Sequence, residues 1–286
     1  MSIKIKKLEH IYSKGTPFEY KALHGIDLTI SEGKVTAIIG ETGSGKSTLV
    51  QHLNGLLIPT AGELEVCGYK ILPLLKNKDI KQLRKEVGLV FQFPEYQLFE
   101  ETIERDIAFG PKNFGASEEE AKDLVKKVLP LVGLDESYLE RSPFELSGGQ
   151  KRRIAIAGIL VLNPKVLVLD EPAAGLDPKG ASDMMDLFIR LNKEEGKTII
   201  LVSHDMEHVM KYCEEVVVLE NGKIRHASDV KTFFMHPEWM IEIGINPPAI
   251  IRLKMALQEQ GWKIPKDCLD EDSLLEVIRK EVKSHE

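Results

Sequence analysis

One nine-residue stretch, GETGSGKST from Gly40 to Thr48, limits what this chain can fold into more than any other. It follows a short β-branched run, KVTAIIG (34–40), and opens KSTLVQHLNGLL, where Leu49, Leu53 and Leu56 recur at helical spacing. A strand, a glycine-rich turn and a helix in that order aim backbone N–H groups and the positive end of a helix at one point, which suits an anion.

Gly40, Gly45, Lys46 and Ser47 have the spacing of a phosphate-binding loop. Glycine lets the backbone close round phosphate oxygens, Lys46 reaches the outer phosphates, and the Ser47 hydroxyl is placed for Mg²⁺. The candidate nucleotide-binding residues are therefore Gly40, Thr42, Gly43, Ser44, Gly45, Lys46, Ser47 and Thr48.

Strands and helices alternate along the rest of the chain. ELEVCG (63–68) and EVGLVFQ (86–92) read as strands, and KVLVLDE (165–171) is apolar on successive residues, as in a parallel strand covered on both faces. KTIILVSHD (197–205) repeats that design after a helix, ASDMMDLFIRLN, that ends near Gly196. EVVVLENGKIR carries Asn221-Gly222 between two strand-like runs, a hairpin signal. The pattern predicts an α/β core with a parallel sheet and antiparallel additions.

Residues 95–162 differ in character. Ser117 and Glu120 form a capping box, and Ala121, Leu124, Val125, Val128 and Leu129 follow at helical spacing, which predicts a helical subdomain. GINPPAI (244–250) marks a break. Beyond it, AIIRLKMALQEQG and DSLLEVIRKEV read as two amphipathic helices too short for a good core of their own, so a main domain over 1–243 carries a docked appendage over 244–286.

Composition narrows the classes. A net charge of −7 gives no global footprint for nucleic acid, and Lys151, Arg152 and Arg153 at a helix start read as a solvated face. Cys67, Cys213 and Cys268 stand far apart and read as reduced thiols. The apolar runs, such as Ile154–Leu162, fall short of the ~18–20 residues of a spanning helix, and the N-terminal MSIKIKKLEH lacks the apolar segment of a secretion signal. Work at a membrane would then go through a partner. Met184, Met185 and Met206 fit helix packing.

Two further features bear on chemistry. Asp170 and Glu171 end a hydrophobic strand just before Pro172. Beside a phosphate loop, Asp170 suits support of Mg²⁺, and the bend lets Glu171 face the terminal phosphate and polarise a water. LSGGQ (146–150) is a second glycine turn feeding a helix, hence a second anion site, which one subunit with one nucleotide does not need.

The ordered set of phosphate loop, LSGGQ, VLVLDEP, AGLD (174–177) and SHD (203–205) resembles the ATP-binding-cassette ATPases over residues 1 to about 240. That resemblance implies the cassette fold of P-loop nucleotidases, ATP and Mg²⁺ as ligands, and two subunits packed head to tail round two nucleotides. By it Ser147, Gly149 and Gln150 bind the partner's nucleotide, Glu171 is the general base, and His204 contacts the terminal phosphate. Gln92 senses Mg²⁺ and the attacking water, Asp177 communicates between sites, and Tyr12 stacks on adenine, with Phe18 or Tyr20 as alternatives.

FQFPEYQLFEETIERDIAFGPKNFG (91–115), together with GETGSGKSTLVQHLNGLL and the C-terminal INPPAIIRLKMALQEQGWKIP, is similar to the ATPases of energy-coupling-factor transporters and related cobalt and nickel importers. The threonine of GETGSGK is similar to the second of the two paralogous ATPases in such transporters. The resemblance implies a peripheral subunit on the cytoplasmic face of the cell membrane. It would sit beneath a membrane scaffold served by separate substrate-capture subunits, which import vitamins or other micronutrients. A groove of Phe93 to Phe99 and Glu101 would receive the scaffold's helices, with Glu95 facing its arginines, and the C-terminal helices would pack against those of the partner ATPase. The competing readings are another ABC importer, a non-transport ABC protein, which usually carries long coiled-coil insertions, and an inactive cassette.

Overall fold

Hydrophobic alternation builds the first layer. In the computed structural model, which describes residues 3–75 and 80–284, β1 (Ile3–Tyr12) pairs antiparallel with β2 (Tyr20–Ile30). The chain then enters β3 (Val35–Ile39), turns through the phosphate loop and continues as α1 (Lys46–Leu53). β4 (Ala61–Val66) and β5 (Tyr69–Ile71) complete a four-stranded antiparallel sheet in the order β2-β1-β4-β5.

After α2 (Leu83–Glu86) and β6 (Val87–Val90), the helical subdomain follows, with α3 (Ile103–Asn113), α4 (Glu118–Val128) and α5 (Gly148–Leu160). The chain returns through β7 (Val166–Asp170), α6 (Pro178–Glu195), β8 (Thr198–Val202), α7 (Met206–Tyr212), β9 (Glu215–Glu220) and β10 (Lys223–Asp229). The second sheet has the order β10-β9-β3-β8-β7-β6, parallel except for β10. Four helices close the described chain: α8 (Val230–Phe234), α9 (Pro237–Glu242), α10 (Ala249–Glu259) and α11 (Glu271–Ser284).

The continuous apolar strands have a direct cause. Ala37, Ile39, Leu167, Leu169, Ile199 and Leu201 face a core shared with the helices. Their neighbours Ile38, Val166, Val168, Ile200 and Val202 face a second core under the antiparallel sheet. With both faces covered, polar residues are largely kept to the strand ends, and buried Thr36 of β3 is accommodated by its hydroxyl donating to Glu215. β7 therefore stays apolar up to Asp170.

Most of the predicted elements appear. The Ser117–Glu120 capping box is formed, Gly196 caps α6 in the left-handed region, and Asn221 and Gly222 (φ 47° and 71°) make the two-residue β9–β10 turn. Met184, Met185 and Met206 are buried, and all three cysteines are free. Two residues of the helically spaced apolar sets are not buried. Leu56 lies past the end of α1 and is half exposed, and Leu124 sits on the rim of the buried face of α4. At the C-terminus, Ile264, Cys268 and Leu274 form a small separate cluster, while Ile251 of α10 enters the main core and the Ala249 amide donates to Glu207 Oε1 of α7 at 2.7 Å.

Candidate functional site

The phosphate loop is held from below. Gly40 ends β3 at φ 147°, and a Cβ there would run into the Leu219 carbonyl oxygen of β9. The β9–β10 turn braces the other side: the Gly222 amide donates to Ser44 O at 2.9 Å, and the His24 amide donates to Gly222 O at 2.9 Å. A Cβ on Gly222 would meet Ala22 O, so this turn needs glycine for close approach as well as for its positive φ. Gly45 precedes α1 with no side-chain cap, leaving the first N–H groups of the helix directed at the loop.

Lys46 is buried, and its Nζ donates to Gly40 O at 2.7 Å and Glu41 O at 2.8 Å. Burial pushes its pKa down, opposed by the charges of Glu171 and Asp170. Ser44 is also buried, with no hydrogen-bond partner for its Oγ. Such an unsatisfied hydroxyl costs free energy.

Above the loop lies a cavity of about 430 Å³, lined by Tyr20, Thr42, Gly43, Gly45, Lys46, Ser47, Thr48, Gln92, Glu171 and His204, with Ala22 at its edge. Three chain segments meet on one carboxylate in its wall. Gln92 Nε2 donates to Glu171 Oε2 at 2.9 Å, and His204 Nε2 lies 2.7 Å from Glu171 Oε1. The backbone explains the aim of Glu171. Asp170 makes the last β7–β8 pair with Val202, and Glu171 then turns into the left-handed region at φ 51°, a strained conformation for a residue with a Cβ. Two adjacent carboxylates thus leave the strand in different directions. Asp170 accepts a hydrogen bond from Ser47, and burial raises its pKa while Ser47 and Lys46 lower it. His204 is presented by a short loop in which Ser203 Oγ accepts from the Asp205 amide and Asp205 caps α7.

The second glycine turn lies elsewhere. Ser147 caps α5 and forms a capping box with Gln150, whose Oε1 accepts from the Ser147 amide at 3.1 Å and from Ser147 Oγ at 3.0 Å. Ser147 and Gly149 are exposed. Asp177 caps α6, accepting from the Gly180 amide at 2.9 Å. None of Ser147, Gly149, Gln150 or Asp177 lines the cavity above the phosphate loop.

Of the three candidate aromatics, Tyr20 lines that cavity. Tyr12 faces Tyr20 across the β1–β2 ladder, bonds Thr48 Oγ1 through its hydroxyl at 3.1 Å, and packs edge-on against His10. Phe18 is out in solvent.

Two expectations are overturned here. Arg152 does not belong to a solvated face: it is 3% exposed. Glu95 does not wait with a free carboxylate for a partner's arginine, because Arg152 holds both of its oxygens, Nε to Oε2 at 3.0 Å and Nη2 to Oε1 at 2.9 Å. Burial works to raise the Glu95 pKa, but these hydrogen bonds outweigh it and keep the carboxyl below its ordinary range. The signal was present in the sequence. Arg152 falls four residues before Ile156 and eight before Leu160, both buried, so helical periodicity puts it on the inner stripe of α5. Tyr138, whose hydroxyl accepts from Gln150 Nε2 at 3.1 Å, had no comparable signal.

A phosphate loop after β3, a carboxylate at the end of the parallel strand β7, with β8 between them, and a second glycine-started helix on an added helical subdomain define a nucleotide-hydrolysing cassette. The ABC transporter family model matches residues 23–174, and the chain belongs to that family. It is 52% identical to the energy-coupling factor transporter ATP-binding protein EcfA2 of Enterococcus faecalis, over 99% of this chain and 98% of that protein. It is 58% identical to the EcfA2 protein of Ligilactobacillus salivarius, over 97% and 98% respectively. Among solved structures, cbiO1 from Clostridium perfringens, part of the ABC transporter complex cbiONQ, superposes with a TM-score of 0.72 at 40% identity, over 88% of this chain and 98% of that one. The ATP-binding cassette MJ0796, in a dimeric post-hydrolysis state bound to ADP and Pi, gives 0.71 at 31% identity, over 80% and 98%. The expected α/β cassette fold is thus the observed one.

Proposed function

We propose that this chain is the ATP-hydrolysing subunit of an energy-coupling factor transporter, working as one of a head-to-tail pair of cassettes. The observation that carries the reading is the Glu171 carboxylate, held by Gln92 and His204 in the wall of the phosphate-loop cavity. In the reaction a water attacks the terminal phosphorus of ATP and the bond to the bridging oxygen of ADP breaks. Glu171 takes the proton of that water. Gln92 and His204 hold the carboxylate against rotation, and Lys46 with the loop amides balances phosphate charge.

The donor set suits Mg²⁺. Ser47 and the Gln92 amide line the cavity, Asp170 is hydrogen-bonded to Ser47, and all three offer hard oxygen atoms; Mg²⁺ uses few protein ligands beside phosphate and water. When bound, the ion would neutralise charge on the phosphate oxygens. Tyr12 is the adenine-stacking ring in this reading, with Tyr20 across the ladder as the second aromatic.

Ser147, Gly149 and Gln150 serve the nucleotide of the facing subunit, and Asp177 lies between the two sites. Residues 1–243 form the nucleotide-binding domain, and 244–286 are an appendage that packs against the partner ATPase. Exposed aromatic side chains on Phe93, Tyr96 and Phe99 support a docking groove for a membrane scaffold on the cytoplasmic face, with capture subunits beyond it. Among the described residues no helix is long and apolar enough to cross a membrane, so the membrane part of the machine is assigned to those partners. Nucleic acid has no part in this reading.

The test is to purify the full chain with its co-expressed partners and follow phosphate release. The reading requires a membrane scaffold in the complex and turnover that Glu171→Gln stops while nucleotide still binds. A complex containing a solute-binding lipoprotein instead, or full turnover in Glu171→Gln, would overturn it.

A further inference from the structure

Arg152 stands five residues beyond Ser147, on the inward face of α5. Burying a guanidinium is costly unless its donors are used, and here they are used on two other chain segments. Its Nε and Nη2 form the fork to Glu95, three residues after Gln92. Its Nη1 donates to Ala174 O at 2.7 Å and to Pro172 O at 3.3 Å, in the stretch between Glu171 and Asp177. The Phe93 ring lies beneath the guanidinium carbon at 5.8 Å. One side chain therefore joins the segment that presents Gln92, the segment that leaves Glu171 and the helix that begins at Ser147.

We propose that Arg152 is a positioning residue, which fixes the Gln92–Glu171 pair relative to the Ser147 turn so that both ends of one subunit move as a unit. None of the residues that Arg152 bonds or stacks on lines the nucleotide cavity, so its effect reaches catalysis at second hand. Because the helix start serves the facing subunit's nucleotide, a displacement of Glu95 would reach both sites of the pair. The inference rests on the hydrolytic reading of Glu171 given above.

Lysine keeps the charge but cannot form the planar fork. In the full chain purified with its partners, we expect Arg152→Lys and Glu95→Gln each to lower kcat about tenfold or more, since small misplacements of reacting groups are expensive in rate. The KM for ATP and the binding of a fluorescent ATP analogue stay within about twofold, because the phosphate loop is untouched. The double variant is no slower than the slower single variant, because both changes break one fork.

Wild-type kcat in either folded single variant, losses that multiply in the double variant, or a loss confined to KM would each overturn the proposal. Should Arg152→Lys fail to fold, Glu95→Gln decides alone, and normal kcat in it is the overturning result. Glu171→Gln in the same preparation separates the two readings. If that variant is active, the hydrolytic assignment fails; if it is inactive while Arg152→Lys and Glu95→Gln run normally, only the positioning role fails.

Discussion

The phosphate loop and the LSGGQ turn are both glycine-rich helix starts, yet the fold treats them in opposite ways. The loop is wedged between β3, β9 and the Gly222 turn, with Ser44 and Lys46 buried inside it. The LSGGQ turn stands in the open, and a Cβ on Gly148 or Gly149 would meet nothing within 4 Å. Glycine at position 40 is demanded by this chain's own packing. Among the described residues glycine at 148 and 149 meets no such demand, which suits the proposed contact with a nucleotide held by a facing subunit. That difference is the strongest local argument that the reaction centre is completed by a second subunit.

The largest effect that bears on this comparison belongs to Glu171. Glu171→Gln keeps the shape and one of the two acceptor oxygens that Gln92 and His204 meet, but loses the base, so kcat should fall on the order of 10²- to 10⁴-fold with nucleotide affinity kept. Phosphate release and equilibrium nucleotide binding measure the two arms. A parallel loss of affinity would mean that Glu171 supports the loop instead of the water.

Next come the glycines themselves. Gly40→Ala drives a methyl group into the Leu219 carbonyl at a φ that side chains avoid, so it should cost about 3 kcal/mol or more, read as a large drop in melting temperature. Gly149→Ala should leave melting unchanged or slightly higher, since alanine in the first turn gains up to ~1 kcal/mol of helix propensity, while turnover of the paired subunits falls. Equal melting losses in the two variants would erase the contrast.

How much of this was legible in the sequence follows the same division. Strand, loop and helix round Gly40 are local patterns, and so are the strands whose two covered faces favour unbroken apolar runs; both could be read directly. Side chains that act across the fold could not. Glu95 and Arg152 are 57 residues apart, and nothing local to either names the other. The inner-stripe position of Arg152 was readable, but charge argued for solvent, and only the bidentate partner reverses that judgement. Leu56 failed for a simpler reason: α1 ends at Leu53, before the periodicity does.

Acid should separate the two regions more gently. His52 of α1 is buried, with Nδ1 2.7 Å from Thr48 O and Nε2 3.1 Å from His10 Nδ1. Burial pushes its pKa from 6.5 down to about 4, and His10 is lowered as well, first of all by burial. The folded chain then binds fewer protons than the unfolded chain between those values, so stability present above pH 6.5 is lost as pH falls towards 4. By pH 5 His52 alone accounts for about 2 kcal/mol. Residues 95–162 contain no histidine. Thermal melts at pH 7.5 and 5 should show a smaller acid loss in His52→Gln than in wild type. Hydrogen exchange should find the loosening round α1 before α5, and loosening of α5 first would contradict the assignment.

The smallest effect tests how the exposed turn keeps its shape. Gln150 spends its carbonyl oxygen on Ser147 and its amide on the Tyr138 hydroxyl, and Tyr138 in turn carries Arg141 over its ring at 4.8 Å. Tyr138→Phe removes only that acceptor and keeps the ring. Gln150 is half-buried, so water can replace part of the bond, and the cost should be about 0.5–1 kcal/mol, or roughly 1–4 °C in melting temperature for a chain of this size. Turnover of the paired subunits should fall about twofold to fivefold, within what that energy allows, and nucleotide binding to the phosphate loop should not change. A loss beyond tenfold would mean that the open turn depends on Tyr138 for its geometry far more than its capping box implies. No loss at all would mean that the Ser147–Gln150 box holds the turn unaided, leaving the two glycine turns more alike in self-sufficiency than their burial indicates.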